Sequence, residues 1–372
     1  MAGTKKRNKN HKSLIAENRF KKTSITSLRN KPSHTKKSKL PPNSSSNSNS
    51  NFLIKFFKKI TRFFLRIIWG LTWRTSLIIF LGITSAVSYY YFNMKEFSSF
   101  LDERARGSVT LEDYKGEVFA WRGDNFSKNL TAKNISPHLK NAILATEDRG
   151  FYSHVGISPR GIGSAVFINL REGRGPLSGH GGSTITQQTA KLVCLGKPFS
   201  QADWNSEKDY EASCRTSTIW RKIKEALYAL SLEFKFSKDE ILTIYINRVF
   251  LGAGTRGFEA AAQRYFGKSA KIVNPSEAAM LAGLLKAPTR YAPTNNLKRS
   301  QERANLIIGL MENQNFLSKA EAKFARENPA TLSKFAQAKA GGYFADWVMA
   351  SLPDYLTYET TEDVVIKTTF DP

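Results

Sequence analysis

Apolar residues follow three patterns along this chain. From Leu71 to Phe92 they are nearly continuous, with Arg74 the only charge. About 20 such residues cross a bilayer, so a single span is expected over 71–93, flanked by Trp69, Trp73 and Tyr89 to Tyr91. Just before it, Phe52-Leu53-Ile54-Lys55-Phe56-Phe57-Lys58-Lys59-Ile60 interleaves apolar residues with lysines, which suits an amphipathic surface helix in a juxtamembrane segment over 51–70. After Met94 the apolar spacing falls to three and four, the period of amphipathic helices. Asn141 to Glu147 begins a helical apolar-periodic stretch after Ser136-Pro137, a start signal. Ile219, Ile223, Ala226, Leu230 and Phe234 form one stripe, with Arg221 and Glu225 on another face. Lys238 to Arg248, Gly257 to Tyr265 and the Ala-rich Pro275 to Leu285 complete the helical expectation. Strand signals are short, at Glu117 to Trp121 and Val364 to Phe370, and no internal repeat is visible.

Charge changes the picture only at one end. Of the net +25, residues 1–74 supply +18, with 19 Lys and Arg against the lone Glu17, and the other 298 residues carry +7. The excess marks a tail and not a binding face, which argues against nucleic acid as a partner. Residues 1–50, including Pro41-Pro42-Asn43-Ser44 through Ser50, have almost nothing to bury and are expected to be a disordered basic tail. A tail of this sign beside a span is a topology and anionic-lipid signal. It predicts a cytoplasmic N-terminus, a signal-anchor and a periplasmic remainder. A cleaved signal peptide fits less well, because the basic region is long and no small-residue cleavage site follows Tyr91. The two cysteines, Cys194 and Cys214, then lie in an oxidising compartment. A disulfide closing their polar, turn-rich segment is expected, with two unrelated buried thiols as the plainer reading.

Taken singly, the polar motifs have plain readings. Glu147, Phe151 and His154 would share one stripe if the helix continued through them, and a shielded Glu can have a raised pKa suited to proton transfer; an exposed turn is the plainer reading. Gly179-His180-Gly181-Gly182-Ser183-Thr184 lacks the Lys of a phosphate-binding P-loop. Thr184, Gln188 and Lys191, at spacings of four and three, would align a hydroxyl, an amide and an ammonium, or else form a capped helix with a polar surface. Arg221 and Glu225 have the spacing of an ordinary surface ion pair.

Together these blocks closely resemble the peptidoglycan glycosyltransferase (transglycosylase) domain of class A penicillin-binding proteins and their monofunctional relatives. Glu147-Asp148…Phe151…His154…Gly156 matches the first motif, Gly182-Ser183-Thr184-Ile185-Thr186-Gln187-Gln188…Lys191 the second, and Arg221-Lys222…Glu225 the third. Lys238…Ile241-Leu242…Tyr245-Ile246-Asn247 and Arg256-Gly257…Glu259-Ala260-Ala261…Tyr265-Phe266-Gly267-Lys268 match the fourth and fifth. The chain departs from the family at Leu192, where Asn is usual, and in the inserted Cys194–Cys214 segment.

The resemblance, over about 115–295, implies a mainly α, lysozyme-like glycosyltransferase domain over 94–300 with a membrane-facing jaw, behind a single transmembrane helix. It implies polymerisation of lipid II, with Glu147 as base and Glu225 orienting cations or donor sugar. Asp148, Phe151, His154, Ser183, Thr184, Gln188, Lys191, Arg221 and Lys222 would bind substrate. No cofactor is required, with Mg2+ or Mn2+ at the donor pyrophosphate as an addition, and no protein metal ligands are assigned. Expected partners are lipid II, the growing glycan strand, anionic lipids of the bacterial inner membrane, and elongation or division proteins. A lysozyme-like muramidase or lytic transglycosylase would need an acid for a sugar leaving group and gives no reason for the cations. An inactive wall scaffold is disfavoured because both glutamates and the cations are present. Penicillin-sensitive chemistry uses Ser-x-x-Lys and Lys-Thr-Gly. The one Ser-x-x-Lys here is Ser33 to Lys36 in the basic tail, so residues 301–372 read as a linker into a further transpeptidase domain.

Overall fold

The computed structural model describes residues 48–102, 109–122, 130–176, 181–197, 200, 203–204, 207–216, 218–333, 336, 340–353 and 364–371. The expected disordered tail therefore lies, through residue 47, outside the described residues, as do Gly179 and His180. The chain divides into two compact units at Trp69/Gly70.

Helix α1 (Ser48–Asn93) is continuous, so the surface helix and the span expected on either side of position 70 are one element. No Pro lies in this segment to separate them. Within it, Ile54–Asn93 is long and apolar enough to cross a membrane, with a mean hydropathy of 1.5 in its most apolar stretch. Short α2 (Phe97–Asp102) follows. Strands β1 (Val109–Glu112) and β2 (Val118–Arg122) pair antiparallel, and β3 (Val364–Lys367) adds in parallel on the other side of β1, Val109 facing Val364. Helix α14 (Ala340–Ser351) covers this sheet, and Phe119, Phe344 and Phe370 stack in a small apolar cluster.

The helical body begins with α3 (Pro137–Glu147), opened by a proline at the start of its first turn, where no backbone donor is missed. Next come α4 (Pro159–Arg171), α5 (Ile185–Leu192), α6 (Glu207–Arg215), α7 (Ile219–Lys235), α8 (Lys238–Arg248) and α9 (Phe258–Phe266). The last are α10 (Pro275–Leu284), α11 (Pro288–Tyr291), α12 (Leu297–Asn313) and α13 (Lys319–Glu327). Thr184/Gln187, Ser237/Glu240, Asn274/Glu277 and Ser318/Glu321 form reciprocal capping boxes at α5, α8, α10 and α13. Each satisfies two backbone donors that a helix start otherwise strands.

Helix α10 is buried along its whole length, which explains its Ala-rich, nearly uncharged sequence. It packs chiefly on α12 and α3, and the same core holds Leu139 and Ile143 of α3, Ile185 of α5, Leu232 of α7, Tyr245 of α8 and Ile307 and Met311 of α12. The boundary expected at residue 300 falls inside α12, whose Ala304, Ile307, Ile308 and Met311 are core residues. The packed body therefore runs past that position, because α12 keeps its helical apolar spacing to Met311. The lower end of α1 is tied to α7: the Tyr90 and Tyr228 rings meet edge-on at 5.3 Å, and the Ser231 hydroxyl donates to the Val87 carbonyl at 3.0 Å.

The stripe expected on α7 is exposed at its ends and half-buried at Ala226 and Leu230. Ile219, Ile223 and Phe234 are exposed, while Glu225, Tyr228, Ala229, Ser231 and Leu232 are buried. Periodicity identifies an apolar face without saying what covers it. Here the covered face is the one carrying Glu225.

Candidate active site

Glu147 is the last residue of α3, and Asp148 caps the helix, its N–H donating to the Leu144 carbonyl at 3.1 Å. Gly150 and a 3-10 turn at Phe151–Ser153 follow. Glu147, Phe151 and His154 therefore do not share a helical stripe, because the helix stops at the first of them. Phe151 is fully buried and packs in the core under the Lys238 ammonium, 4.6 Å from its ring centre. His154 Nε2 contacts the Asp148 carboxylate at 2.9 Å, and the same carboxylate accepts from the Ile185 N–H at 3.0 Å. Asp148 thus sits at the start of α5, where a negative charge is favoured, and locks the turn after Glu147 onto that helix. The turn passes α7 at Gly156, whose φ is +68° and where a Cβ would lie 3.0 Å from the Ala229 carbonyl oxygen.

The Glu147 carboxylate faces α5. Gln188 Nε2 donates to its Oε2 at 2.9 Å, and the buried Tyr245 hydroxyl of α8 reaches Gln188 Oε1 at 3.3 Å. Burial raises the Glu147 pKa above its ordinary value. The Gln188 hydrogen bond and the charges of Arg303 and Lys191 pull it partly back, and the neighbouring Asp148 pushes it up. Desolvation is the leading cause, as for a carboxyl withdrawn from water.

Glu147 lines a polar cleft of about 940 Å³ with Arg149, His154, Arg160, Ser164 and Ser183. Its far wall is the start of α4 and the segment Gly181–Thr184. These approach so closely that a Cβ on Gly182 would lie 2.8 Å from the Ile162 Cα. Thr184 does not point its hydroxyl along with Gln188 and Lys191. It accepts from the Gln187 N–H and donates to the Gly156 carbonyl at 2.5 Å, because an N-cap side chain is committed to its own helix.

The third cluster stands behind Ser183. Lys222 Nζ bridges the Ser183 hydroxyl at 2.9 Å and Glu225 Oε1 at 2.6 Å, and Arg221 Nη2 reaches Glu225 Oε2 at 3.3 Å. The Glu225 side chain is only 1% exposed, so this is not the surface pair its spacing suggested. Arg221 also donates to the Cys214 carbonyl at 2.8 Å and to the Thr216 carbonyl. Cys194 and Cys214 are joined as a disulfide with Cα atoms 5.2 Å apart.

Residues 115–312, more than half of the chain, match the family model described as Transglycosylase. The chain belongs to the transglycosylase family. Its mainly α, lysozyme-like fold with an apolar N-terminal helix is the one the motifs implied. The chain is 38% identical over 236 residues to penicillin-binding protein 1A of Aquifex aeolicus, an alignment covering 63% of this chain and 30% of that protein. Penicillin-binding protein 1A of Haemophilus influenzae is 40% identical over 218 residues, covering 59% and 23% respectively. Penicillin-binding protein 1B of Vibrio cholerae is 37% identical over 203 residues, covering 54% and 23%. The chain thus spans less than a third of the length of these relatives. A crystal structure of penicillin-binding protein 1A from Haemophilus influenzae aligns with a TM-score of 0.36 at 23% identity, over 68% of this chain and 25% of that one.

Sequence motifs alone leave out several residues that the structure brings to the candidate site: Tyr245 through Gln188, Arg303 through its charge on Glu147, and Arg149 and Arg160 on the cleft. Only Tyr245 carried a signal, as part of the fourth motif. An arginine in an amphipathic helix looks like solvated surface until tertiary packing turns it inward.

Proposed function

We propose that this chain is a peptidoglycan glycosyltransferase that joins lipid II into β-1,4-linked glycan and releases undecaprenyl pyrophosphate. The observation that carries the reading is Glu147: a carboxyl raised by burial, held by Gln188 and lining a polar cleft. The acceptor 4-hydroxyl oxygen attacks the anomeric carbon of the lipid-linked donor, and its proton passes to Glu147 as the new bond forms. The bond to the pyrophosphate oxygen breaks, its electron pair leaving with the pyrophosphate, and the α-linked donor becomes a β-linked product. A base with a pKa moved toward the working pH contributes about 10²–10⁴ in rate.

The leaving pyrophosphate gathers negative charge, which fixed cations stabilise more in the transition state than in the ground state. Lys222, bridging the cleft-wall Ser183 and Glu225, and Lys191 in the last turn of α5 take this role. Arg221 spreads its guanidinium over two carbonyls and Glu225, so it positions the cluster. Among the described residues no group of three or more His, Cys, Asp or Glu is placed to hold a metal ion. An Mg2+ or Mn2+ ion at the donor pyrophosphate would offset the same negative charge.

A lipid-tethered substrate must be met at the bilayer. Exposed Ile162, Phe167 and Leu170 of α4 and Ile219 and Trp220 of α7 supply an apolar surface for that encounter, and α1 supplies the span. We assign a single pass through the bacterial inner membrane, the basic N-terminus cytoplasmic beside anionic lipids and the enzymatic part periplasmic. The test is to incubate the full chain, in detergent, separately with fluorescent lipid II and with mature glycan. Polymer from lipid II, lost in Glu147→Gln, is the expected result. Glycan fragments without polymer would instead make this a hydrolase.

A further inference from the structure

Tyr245 is wholly buried between α8 and α5, and the proposed reaction does not use it. Its hydroxyl donates to Gln188 Oε1 at 3.3 Å, and the other end of that amide donates from Nε2 to Glu147 Oε2 at 2.9 Å. A glutamine amide has two ends of nearly equal shape, so its partners decide which end faces which way. Burial and the nearby Glu147 charge push the Tyr245 phenol well above its ordinary pKa, so it remains a donor. If the amide turned over, its oxygen would oppose the Glu147 carboxylate and the Tyr245 proton would lose its acceptor. A buried donor without a partner is costly.

We infer that Tyr245 is a positioning residue for the base: its hydroxyl fixes the Gln188 amide with the nitrogen toward Glu147. The arrangement favours the ionised, proton-accepting form of Glu147, because an amide N–H stabilises a carboxylate and an amide oxygen does not. The other charges that bear on Glu147 are Asp148 beside it, Lys191 of α5 and Arg303 of α12. On α10, which also packs on α3, Glu277 is paired with Lys268 at 2.7 Å. Tyr245 holds the oxygen end of the Gln188 amide, opposite the end that meets Glu147. The inference rests on reading Glu147 as the base.

The experiment compares the full chain with Tyr245→Phe, Gln188→Leu and the double variant, all in the same detergent and with thermal melting as a folding control. Glutamates are labelled at the side-chain carboxyl with ¹³C, and the Glu147 resonance is assigned by its loss in Glu147→Gln. Removing the phenol hydroxyl should raise the Glu147 titration midpoint by about half a pH unit or more, since a hydrogen bond that stabilises the charged form is weakened. In lipid II polymerisation it should lower kcat about three- to tenfold, the factor one hydrogen bond commands, with KM within about twofold. The acid limb of the pH–rate profile should move upward by the same amount as the titration. Gln188→Leu should shift both further, and adding Tyr245→Phe to it should change nothing more, because the phenol acts only through the amide. An unmoved Glu147 titration in Tyr245→Phe, or additive effects in the double variant, would overturn the inference. If the wild-type chain makes no polymer, the assignment of the base fails, and the carboxyl titration still decides whether Tyr245 governs Glu147.

Discussion

Replacing Cys194 and Cys214 by serine should destabilise the protein and slow glycan synthesis together. The two residues are 20 apart in sequence. Closing a loop of that length removes unfolded-state entropy equivalent to about 3 kcal/mol at room temperature. In a domain of this size each kcal/mol moves Tm by about 2–4 °C, so the double serine variant should melt roughly 6–12 °C lower. The path to the chemistry is short. Cys194 follows α5, which carries Gln188 and Lys191, while the Cys214 carbonyl accepts from Arg221, whose guanidinium also holds Glu225. Releasing Cys214 loosens one of the three acceptors that fix that guanidinium. On the proposed role of Glu225, aligning cations for the departing pyrophosphate, kcat should fall more than KM rises. The assay is thermal melting and initial rates on lipid II, each with and without dithiothreitol. Reductant should bring the wild type to the level of the double variant and leave the variant unchanged. A variant melting within about 2 °C of wild type would refute the loop-entropy reasoning, and a lowered Tm with an intact rate would cut the link from Cys214 through Arg221 to the site.

Glu147→Gln should abolish polymerisation while raising Tm at neutral pH. Its folded pKa is raised, so burial of the charge costs stability that appears as pH climbs from the unfolded value toward the folded one; melting at pH 4 and pH 7 should show the gain vanish at the lower pH. Arg221→Ala and Arg221→Lys should both impair polymerisation, the alanine by about a hundredfold or more, since an ammonium cannot reach Cys214, Thr216 and Glu225 at once; wild-type rates in Arg221→Lys would remove the clamp. Phe167→Ser with Trp220→Ser should leave melting unchanged, both being exposed, yet weaken use of membrane-embedded lipid II relative to a short-chain soluble analogue, compared in vesicles and in detergent.

The helices most legible in the sequence were those whose ends are set by local chemistry. Ser237 and Glu240 fix the start of α8, which runs from Lys238 to Arg248 as its periodicity indicates. The end of α3 is not legible in the sequence, because Asp148 and Arg149 are tolerated in helices and the stop depends on the Asp148 carboxylate bonding to His154 and to the Ile185 N–H across the fold. The same long-range dependence hid Tyr245 and Arg303, whose side chains gain meaning only once α8 and α12 are packed. Strand β1 gave too weak a signal alone, with four residues and a partner, β3, more than 250 positions away. On α7 the periodicity marks two faces without saying which is covered, and packing exposes Ile219, Ile223 and Phe234 while burying Glu225.

That helix also separates the roles of the two glutamates. Glu225 spends both oxygens on Arg221 and Lys222 and is almost completely enclosed, so its carboxylate serves to hold cations in register behind Ser183. Glu147 has its Oε2 held by the neutral Gln188, feels Arg303 and Lys191 as charges, and lines the cleft where an acceptor hydroxyl can approach. Two carboxylates with such different surroundings are suited to different work. In the proposed reaction the one paired directly with cations orders the leaving-group side, and the one raised by burial takes the proton. Exchanging their surroundings would leave the cleft with a carboxylate already neutralised by contact ion pairs and the cation cluster without its anchor, so on the proposed reaction neither glutamate would stand in for the other.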